Sequence, residues 1–497
     1  MMSFSNSLHR SGSGNRLTGF FRTASIYACA GLATIATAGS AVVAEQTAAA
    51  KMEAKKPNIV VIFVDDMGFG DVGVYGHPTI RTPNLNQMAH EGQKWTNFYA
   101  AANVCSPSRA GLLTGRLPIR SGMQGDREDL RVLFPFSKGG MPEDELTMAE
   151  MLKSKGYKTA AVGKWHLGHL PQYLPTAQGF DQYFGIPYSN DMNATGKWTF
   201  DFFKGEPDIS KWNVPLMRDT EIVERPAYQY TITKRYTEEA VQFIEDNKSE
   251  PFFLYLAHNL PHVPLFASED FVGKSDAGFY GDVIEEIDWS VGQVLETLKK
   301  NNLDENTLVV FTSDNGPWLV FGEHGGSAGL LHDGKGTTFE GGMRVPGIFW
   351  WPGKIKPAVI HATGSTLDIM PSVAALTGGG MPEDRVIDGV DLAPVLFNGE
   401  KGEKRAIFYY RRHELFAVRY GDYKAHFITE YSYRKDDAYT VHGTPLLYNV
   451  MVDPGEKYNV ADKYPDIIAE IRAVAEAHKK SVKPVTVQFN LVQDEEF

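Results

Sequence analysis

The chain has 497 residues, 43% hydrophobic and 22% charged, with 49 Lys and Arg against 61 Asp and Glu. That length exceeds a typical single domain and that composition excludes fibrous and disordered classes, so a large globular domain with a smaller companion is expected. The acidic balance argues against nucleic acid or anionic membranes as partners and obliges any anion-binding site to concentrate its cations locally.

Residues 1–44 hold Arg10, Arg16 and Arg22 but no acid, then a run of small and apolar residues from Ala24 to Val43 that ends in Ala44 before Glu45. This is the pattern of a secretory signal rather than a membrane anchor. Export to the periplasm or medium is therefore expected, with no transmembrane segment. Lipid attachment at Cys29 is the weaker alternative, because Arg22 interrupts the apolar stretch that should precede it. Without this segment 46 basic residues face 61 acidic ones, a net charge of −15, and of the two cysteines Cys105 alone remains. A single thiol in an exported chain cannot close an internal disulfide, so it is either a buried bystander or a reactive group.

Residues 45–56, polar and rich in Ala and Lys, read as a linker. From 57 to 384 apolar runs alternate with helical patterns, the mark of an α/β domain whose mainly parallel sheet lies between helices. Strands are expected at Ile59–Val64, Lys158–Val162, Phe252–Ala257, Thr307–Thr312 and Gly347–Trp351. Helices are marked by Met148, Met151 and Leu152, and by Ile284, Ile287, Val291, Leu295 and Leu298. Residues 385–497 read as a smaller α+β domain with an antiparallel sheet. Its strands are Ala406–Tyr410, Leu415–Tyr420 and Tyr423–Ile428, the last two joined at Gly421-Asp422. Pro465 opens a closing helix that turns Ile467, Ile471 and Val474 inward.

The chemistry lies where these strands end. Asp65-Asp66 follows the first strand and Asp314-Asn315 the fourth, and ligands of an open α/β sheet collect at the carboxyl ends of its strands. Asp and Asn open many ordinary turns, but four oxygen groups crowded at one edge need a cation, and hard donors of this kind suit Ca²⁺ or Mg²⁺. Cys105 opens Cys-Ser-Pro-Ser-Arg-Ala-Gly-Leu-Leu-Thr-Gly-Arg, where Pro107 suits a helix start and Gly115 a helix end. A helix beginning there offers its N-terminal N–H groups to an anion and sets Arg109 on the face of Cys105. Lys164 and His166 follow the second strand, His258 and His262 the third, and Lys335 sits in the glycine-rich stretch 333–342. Lysine supplies a point charge for an anion and histidine moves protons near neutral pH, although a lone histidine after a strand is more often structural.

The segment at Cys105 resembles the signature of the sulfatase family, in which Cys-x-Pro-Ser-Arg is read by a modifying enzyme and the cysteine is oxidised to formylglycine. Val-Gly-Lys-Trp-His-Leu-Gly at 162–168, Gly-Ile-Pro-Tyr-Ser at 185–189, Gly-Lys-Gly-Thr-Thr-Phe-Glu-Gly-Gly at 334–342 and the tail at 416–427 are similar to its arylsulfatase A and N-acetylgalactosamine-6-sulfatase branch. The resemblance implies an alkaline-phosphatase-like fold and hydrolysis of an aryl sulfate or a sulfated carbohydrate. Asp65, Asp66, Asp314 and Asn315 would hold Ca²⁺, or Mg²⁺, together with modified Cys105. Arg109 and Lys164 would hold the formylglycine; Lys164, His262, Lys335 and Ser189 would contact sulfate; His166 would assist the hydrated aldehyde. His262 is preferred to His258 because it occupies a His-x-Pro pattern. A formylglycine-generating enzyme is the implied maturation partner.

The hydrated aldehyde would carry two hydroxyls on one carbon, one to attack sulfur and one whose deprotonation ejects sulfate, with His262 or Lys335 protonating the leaving oxygen. Two other classes fit these residues less well. A phosphonate or phosphate ester hydrolase of the same fold would usually show a two-metal site with a His where Asn315 stands, and a non-catalytic sulfated-glycan binder would need no convertible cysteine. Lys424, His426 and His413 are candidate sugar contacts. Amino-terminal sequencing of protein from the producing cell should read a mature chain that starts near Glu45, and retention of Met1 would remove the export argument.

Overall fold

A computed structural model describes residues 55–492 except 128, 198, 204–206 and 433–437. The expected signal segment and positions 45–54 of the linker lie outside the described residues.

Ten strands form one sheet: β1 (Asn58–Val64), β2 (Gln93–Tyr99), β3 (Lys158–Gly163), β4 (Gln182–Gly185), β5 (Leu216–Arg218), β6 (Glu221–Glu224), β7 (Phe252–Ala257), β8 (Thr307–Ser313), β9 (Gly347–Trp350) and β10 (Ala358–Ser365). Their order across the sheet is β10-β2-β9-β8-β1-β7-β3-β4-β5-β6. The central strands β8, β1, β7, β3 and β4 are parallel, which accounts for their continuous apolar runs: such strands are covered on both faces. In β1, Val60, Ile62 and Val64 pack toward the helices Ile232–Asp246 and Gly278–Lys300. Ile59, Val61 and Phe63 pack toward Cys105–Thr114, Met148–Ser154 and Ile369–Thr377. The fifth expected strand, β9, breaks the parallel pattern by running antiparallel to both β8 and β2. The strands β2 and β10 and the short strands β4, β5 and β6 were not anticipated.

A second sheet, antiparallel throughout, holds β11 (Ala406–Arg411), β12 (Glu414–Tyr420), β13 (Tyr423–Thr429) and β14 (Thr440–Asn449). Tyr420 pairs with Tyr423 across the expected two-residue turn, while β14 had no clear signal in the sequence. The helix Pro465–Ser481 closes this region, but its inward stripe is Ile468, Ile471 and Ala475, so the expected Ile467 and Val474 are half-buried at its edge.

Glu340 ties the second sheet to the loop that precedes it. Its carboxylate accepts hydrogen bonds from Tyr99 Oη at 2.7 Å, Tyr409 Oη at 2.9 Å and Lys424 Nζ at 3.1 Å, and its backbone N–H donates to Glu456 at 2.7 Å. Lys424 also lies 3.1 Å from Glu456, whose Oε1 meets His426 Nε2 at 2.6 Å. Lys424 and His426 are thus fully buried in an ion cluster, which corrects their reading as sugar contacts. A hairpin lysine can be drawn inward when two carboxylates compensate its desolvation. His413 is exposed but lines a different cavity, beside Ile119, Tyr410 and Lys479.

Burial pushes the Glu340 carboxyl up, and Lys424, Arg344 and Arg419 more than offset this, holding it at about 2. A depressed folded value contributes stability that is complete above the unfolded value near 4.5 and is lost as pH falls from there toward 2. Lys424→Met should leave Glu340 and Glu456 unbalanced and cost about 3–5 kcal/mol. Urea midpoints for the two proteins at pH 7 measure this, and equal midpoints would remove the clamp from the stability argument.

Candidate active site

The carboxyl ends of β1, β3, β7 and β8 meet at one edge. Asp65 and Asp66 follow β1, and Asp314 and Asn315 follow β8, whose register beside β1 carries the Asp314 N–H onto the Val64 carbonyl at 3.1 Å. Asp66 sits in the left-handed region at φ 66°, a costly conformation for a residue with a Cβ. Its N–H donates to Asp314 Oδ1 at 3.1 Å, and the next N–H, of Met67, to Ser313 Oγ at 3.0 Å. Lys164 leaves β3 directly after Gly163, where φ is 111° and an added Cβ would stand 1.8 Å from the Ala257 carbonyl oxygen. Only glycine admits that close approach.

Cys105 is the first residue of the helix Cys105–Thr114, which ends at Gly115 with φ 68°. Its Sγ lies at the positive end of the helix and 3.4 Å from Lys335 Nζ. Ligand atoms of Asp65, Asp66, Cys105 and Asp314 all lie within 4.8 Å of one another, and all four residues are buried. Three cations answer the three carboxylates. Arg109 donates from Nε and Nη2 to Asp314 Oδ2 at 3.1 and 2.8 Å and from Nη1 to the Lys164 carbonyl at 3.0 Å, with Nη2 3.5 Å from Asp65. Lys164 donates to Asp65 and, at 3.1 Å, to Ser189 Oγ. Lys335 donates to Asp66 at 2.7 Å.

Burial, opposed by Lys335 and reinforced by Asp65, pushes the Asp66 carboxyl up to about 6. Burial together with Asp65 pushes Asp314 up to about 7 despite Arg109. Asp65 lies well below the usual carboxylate range, because Lys164, His262 and Arg109 outweigh its burial. Burial and Asp65 raise the Cys105 thiol. Two carboxylates strained toward protonation, Asp65 Oδ1 and Asn315 Oδ1 buried without a hydrogen-bond partner, and oxygen donors throughout are the features of a pocket for a hard divalent cation. The Asn315 amide nitrogen is turned to Asp66 Oδ1 at 2.7 Å, so a half-turn of the amide would bring its oxygen to the cluster.

A cleft of about 700 Å³ opens onto Cys105, His166, Ser189, His262 and Lys335. Arg109 and Lys164 do not line it; they stand behind the cluster, fully buried. His166, in the left-handed region at φ 61°, donates from Nε2 to the Leu133 carbonyl at 2.8 Å and keeps Nδ1 without a partner. Burial, Lys164 and Arg109 hold it neutral. His262 makes the opposite choice, donating from Nδ1 to the Val263 carbonyl at 2.5 Å while Nε2 lies 3.6 Å from Asp66, and burial with Lys335 holds it neutral as well. His258 bonds Ser290 Oγ at 3.2 Å and is pushed by burial to about 3, a structural histidine away from the cleft.

The remaining walls had not been singled out from the sequence. Trp318 supports Lys335, whose Nζ lies 4.2 Å from its ring centroid, and packs 5.2 Å from the His262 ring. Its place three residues after Asn315 was a usable signal, as was that of Asp191 two residues after Ser189. Arg411 of β11 and Glu430, just after β13, reach the cleft from the second sheet's side, and Arg131 and Phe134 from the loop after the short helix Pro118–Ser121. Nothing local marks these four.

The family model described as Sulfatase matches residues 57–379, and that of the C-terminal region of aryl-sulfatase matches residues 402–496. The chain is 41% identical to human (Homo sapiens) arylsulfatase A over 447 residues, 84% of this chain and 87% of that protein. It is 40% identical to N-acetylgalactosamine-6-sulfatase of Canis lupus familiaris over 472 residues, 88% of each. Among solved structures, the PsFucS1 sulfatase from Pseudoalteromonas sp. superposes with a TM-score of 0.77 at 28% identity, over 91% of this chain and 94% of that one. A helix headed by a buried cysteine, set against three carboxylates at the edge of a parallel sheet, and likeness along nearly the whole described length lead to one assignment: the chain belongs to the sulfatase family.

Proposed function

We propose that the protein hydrolyses organic sulfate esters to an alcohol and inorganic sulfate, with Cys105 converted to formylglycine as its nucleophile. The observation that carries this reading is the position of Cys105: first residue of its helix, buried, 3.4 Å from Lys335 and within the carboxylate cluster. Hydrated formylglycine supplies two hydroxyls on one carbon, so that one bonds sulfur and the other provides a way to release sulfate by breaking a carbon–oxygen bond. Asp65, Asp66, Asp314 and Asn315, with the modified residue, would hold Ca²⁺ or Mg²⁺, which supplies positive charge against the nucleophile and the sulfate oxygens.

The chain's own side chains divide the remaining work. Lys335 faces the reacting centre with an ammonium and protonates the leaving alcohol. His166, which also lines the cleft, keeps a free ring nitrogen in the form that accepts a proton. Ser189 and His262 border the sulfate position, and Lys164 acts behind Ser189, through their 3.1 Å hydrogen bond. Arg109 fixes the orientation of Asp314 with a forked contact, the geometry in which a guanidinium is hardest to replace. The chain is read as exported and matured by a formylglycine-generating enzyme; among the described residues no helix is long and apolar enough to cross a membrane.

Peptide mass spectrometry over Val104–Arg116 of active protein should show loss of the Cys105 sulfur. Cys105→Ala should fold and be inactive, and Cys105→Ser should give no turnover or a sulfate trapped on the introduced serine. A Cys105→Ser protein that turns over as fast as the parent would overturn the two-hydroxyl chemistry. Activity on aryl sulfate should exceed that on aryl phosphate and phosphonate esters. Asp314→Ala should lose bound Ca²⁺ or Mg²⁺ by elemental analysis and lose activity with it, whereas full activity without a bound ion would remove the metal from the reading.

A further inference from the structure

Asp71 is buried, and it neither lines the cleft at Cys105 nor belongs to the carboxylate cluster. Its carboxylate nevertheless collects three donors. Oδ2 accepts from the Gly68 N–H at 2.7 Å and from Tyr280 Oη at 2.6 Å, and Oδ1 accepts from the Ser327 N–H at 2.7 Å. The Gly68 bond completes a row. From Asp66 to Gly68, three successive backbone N–H groups are each held by a side chain: Asp66 by Asp314 Oδ1 at 3.1 Å, Met67 by Ser313 Oγ at 3.0 Å, and Gly68 by Asp71. The first two acceptors come from the end of β8, whereas Asp71 ties the third N–H to the loop at Ser327 and to the helix Gly278–Lys300. The Gly70 N–H donates to the Ser327 carbonyl at 2.9 Å, and a Cβ at Gly68 would stand 2.1 Å from that oxygen, so the two backbones meet directly.

A residue with a Cβ stays in the left-handed region only where its surroundings hold it there. Asp66, at φ 66°, opens the pinned row. We infer that Asp71 is a positioning residue for the metal site: by fixing Gly68 against the Ser327 loop, it keeps Asp66 in the strained turn that presents its carboxylate beside Asp65 and Asp314. This rests on the metal-dependent reading above and goes beyond it, since Asp71 stands outside the proposed ligand set. Freed at Gly68, the turn relaxes toward ordinary backbone and carries the Asp66 carboxylate away from its neighbours. A site whose ligands must first be gathered binds its ion more weakly than one already assembled.

Calorimetric titration of metal-stripped, full-length protein with Ca²⁺, and with Mg²⁺ as a second titrant, tests this beside thermal melting. Asp71→Ala should weaken binding roughly 10- to 100-fold, the range for losing an outer support of a metal ligand. Asp71→Asn keeps one oxygen for Gly68 and should fall between, and it decides the matter if the alanine variant does not fold. Asp288 supplies the control, a second buried carboxylate with three donors, the Asn84 and Leu85 N–H groups and the Asn84 amide, at the start of the helix Pro83–Glu91. Asp288→Asn should lower the melting temperature and leave Ca²⁺ affinity unchanged. Parental affinity in the folded Asp71 variants would overturn the inference, whatever their melting temperatures. An equal weakening in Asp288→Asn would overturn it as well, by making the effect one of general destabilisation. A parent that binds neither ion would remove the metal reading, and the inference with it.

Discussion

Asp65, Asp66 and Asp314 are buried together with Cys105 between them, and ion-sized charges taken out of water must be compensated within a few ångströms. The chain meets this with three cations placed in turn, Lys164 on Asp65, Lys335 on Asp66 and Arg109 on Asp314. Six charges so paired sum to none. A divalent cation among the carboxylates would therefore leave two net positive charges beside the buried end of the cleft, one more than the single negative charge of a sulfate monoester and matching the two of sulfate itself. Such a balance favours the negative charge that builds as the ester bond breaks over the charge of the bound ester, which is the direction in which catalytic binding should be biased.

The cluster is held from two directions. From below, register does the work: β8 pairs with β1 residue for residue from Asn58 to Val64, so the acidic pairs that follow the two strands arrive at the same level. From above, Lys335 hangs on a loop fixed at both ends. Its N–H donates to the Pro317 carbonyl at 2.9 Å, and the Gly336 N–H donates to the Asn103 carbonyl at 2.8 Å, two residues before Cys105. Four residues beyond Gly336 the same loop enters Glu340, gripped by Tyr409 and Lys424 of the second sheet. The second sheet thereby reaches the Lys335 ammonium through a few buried bonds, and a lysine on a glycine-rich loop keeps a fixed position.

What could be read from the sequence follows from how local the causes are. The strand ends bearing Asp65, Lys164, His262 and Asp314 were legible because a buried parallel strand is a continuous apolar run and the chemistry begins where the run stops. The Cys105 helix was legible because its start and its glycine stop are local signals. β9 was assigned to the right residues without its direction, since an apolar run does not say which way it points. Lys424 and His426 were misplaced because their burial depends on Glu340 and Glu456, and such pairing leaves no mark beside them. The cleft walls from Arg411 and Glu430 were invisible for the same reason.

The two histidines at the cleft show how neutral rings can be given different tasks. Each spends one N–H on a backbone carbonyl, His166 through Nε2 and His262 through Nδ1, so opposite tautomers are fixed and each ring keeps a bare nitrogen. Burial and the nearby lysines keep both rings uncharged, and an uncharged ring whose N–H is already engaged can accept a proton but has none to give. On the proposed mechanism the donor for a leaving alcohol is then Lys335, whose ammonium contacts Asp66, Cys105 and the Trp318 ring. His166, away from those contacts, is left to receive a proton rather than supply one. The proposed assignment of acid and base thus follows from where two carbonyl oxygens, Leu133 and Val263, face the rings.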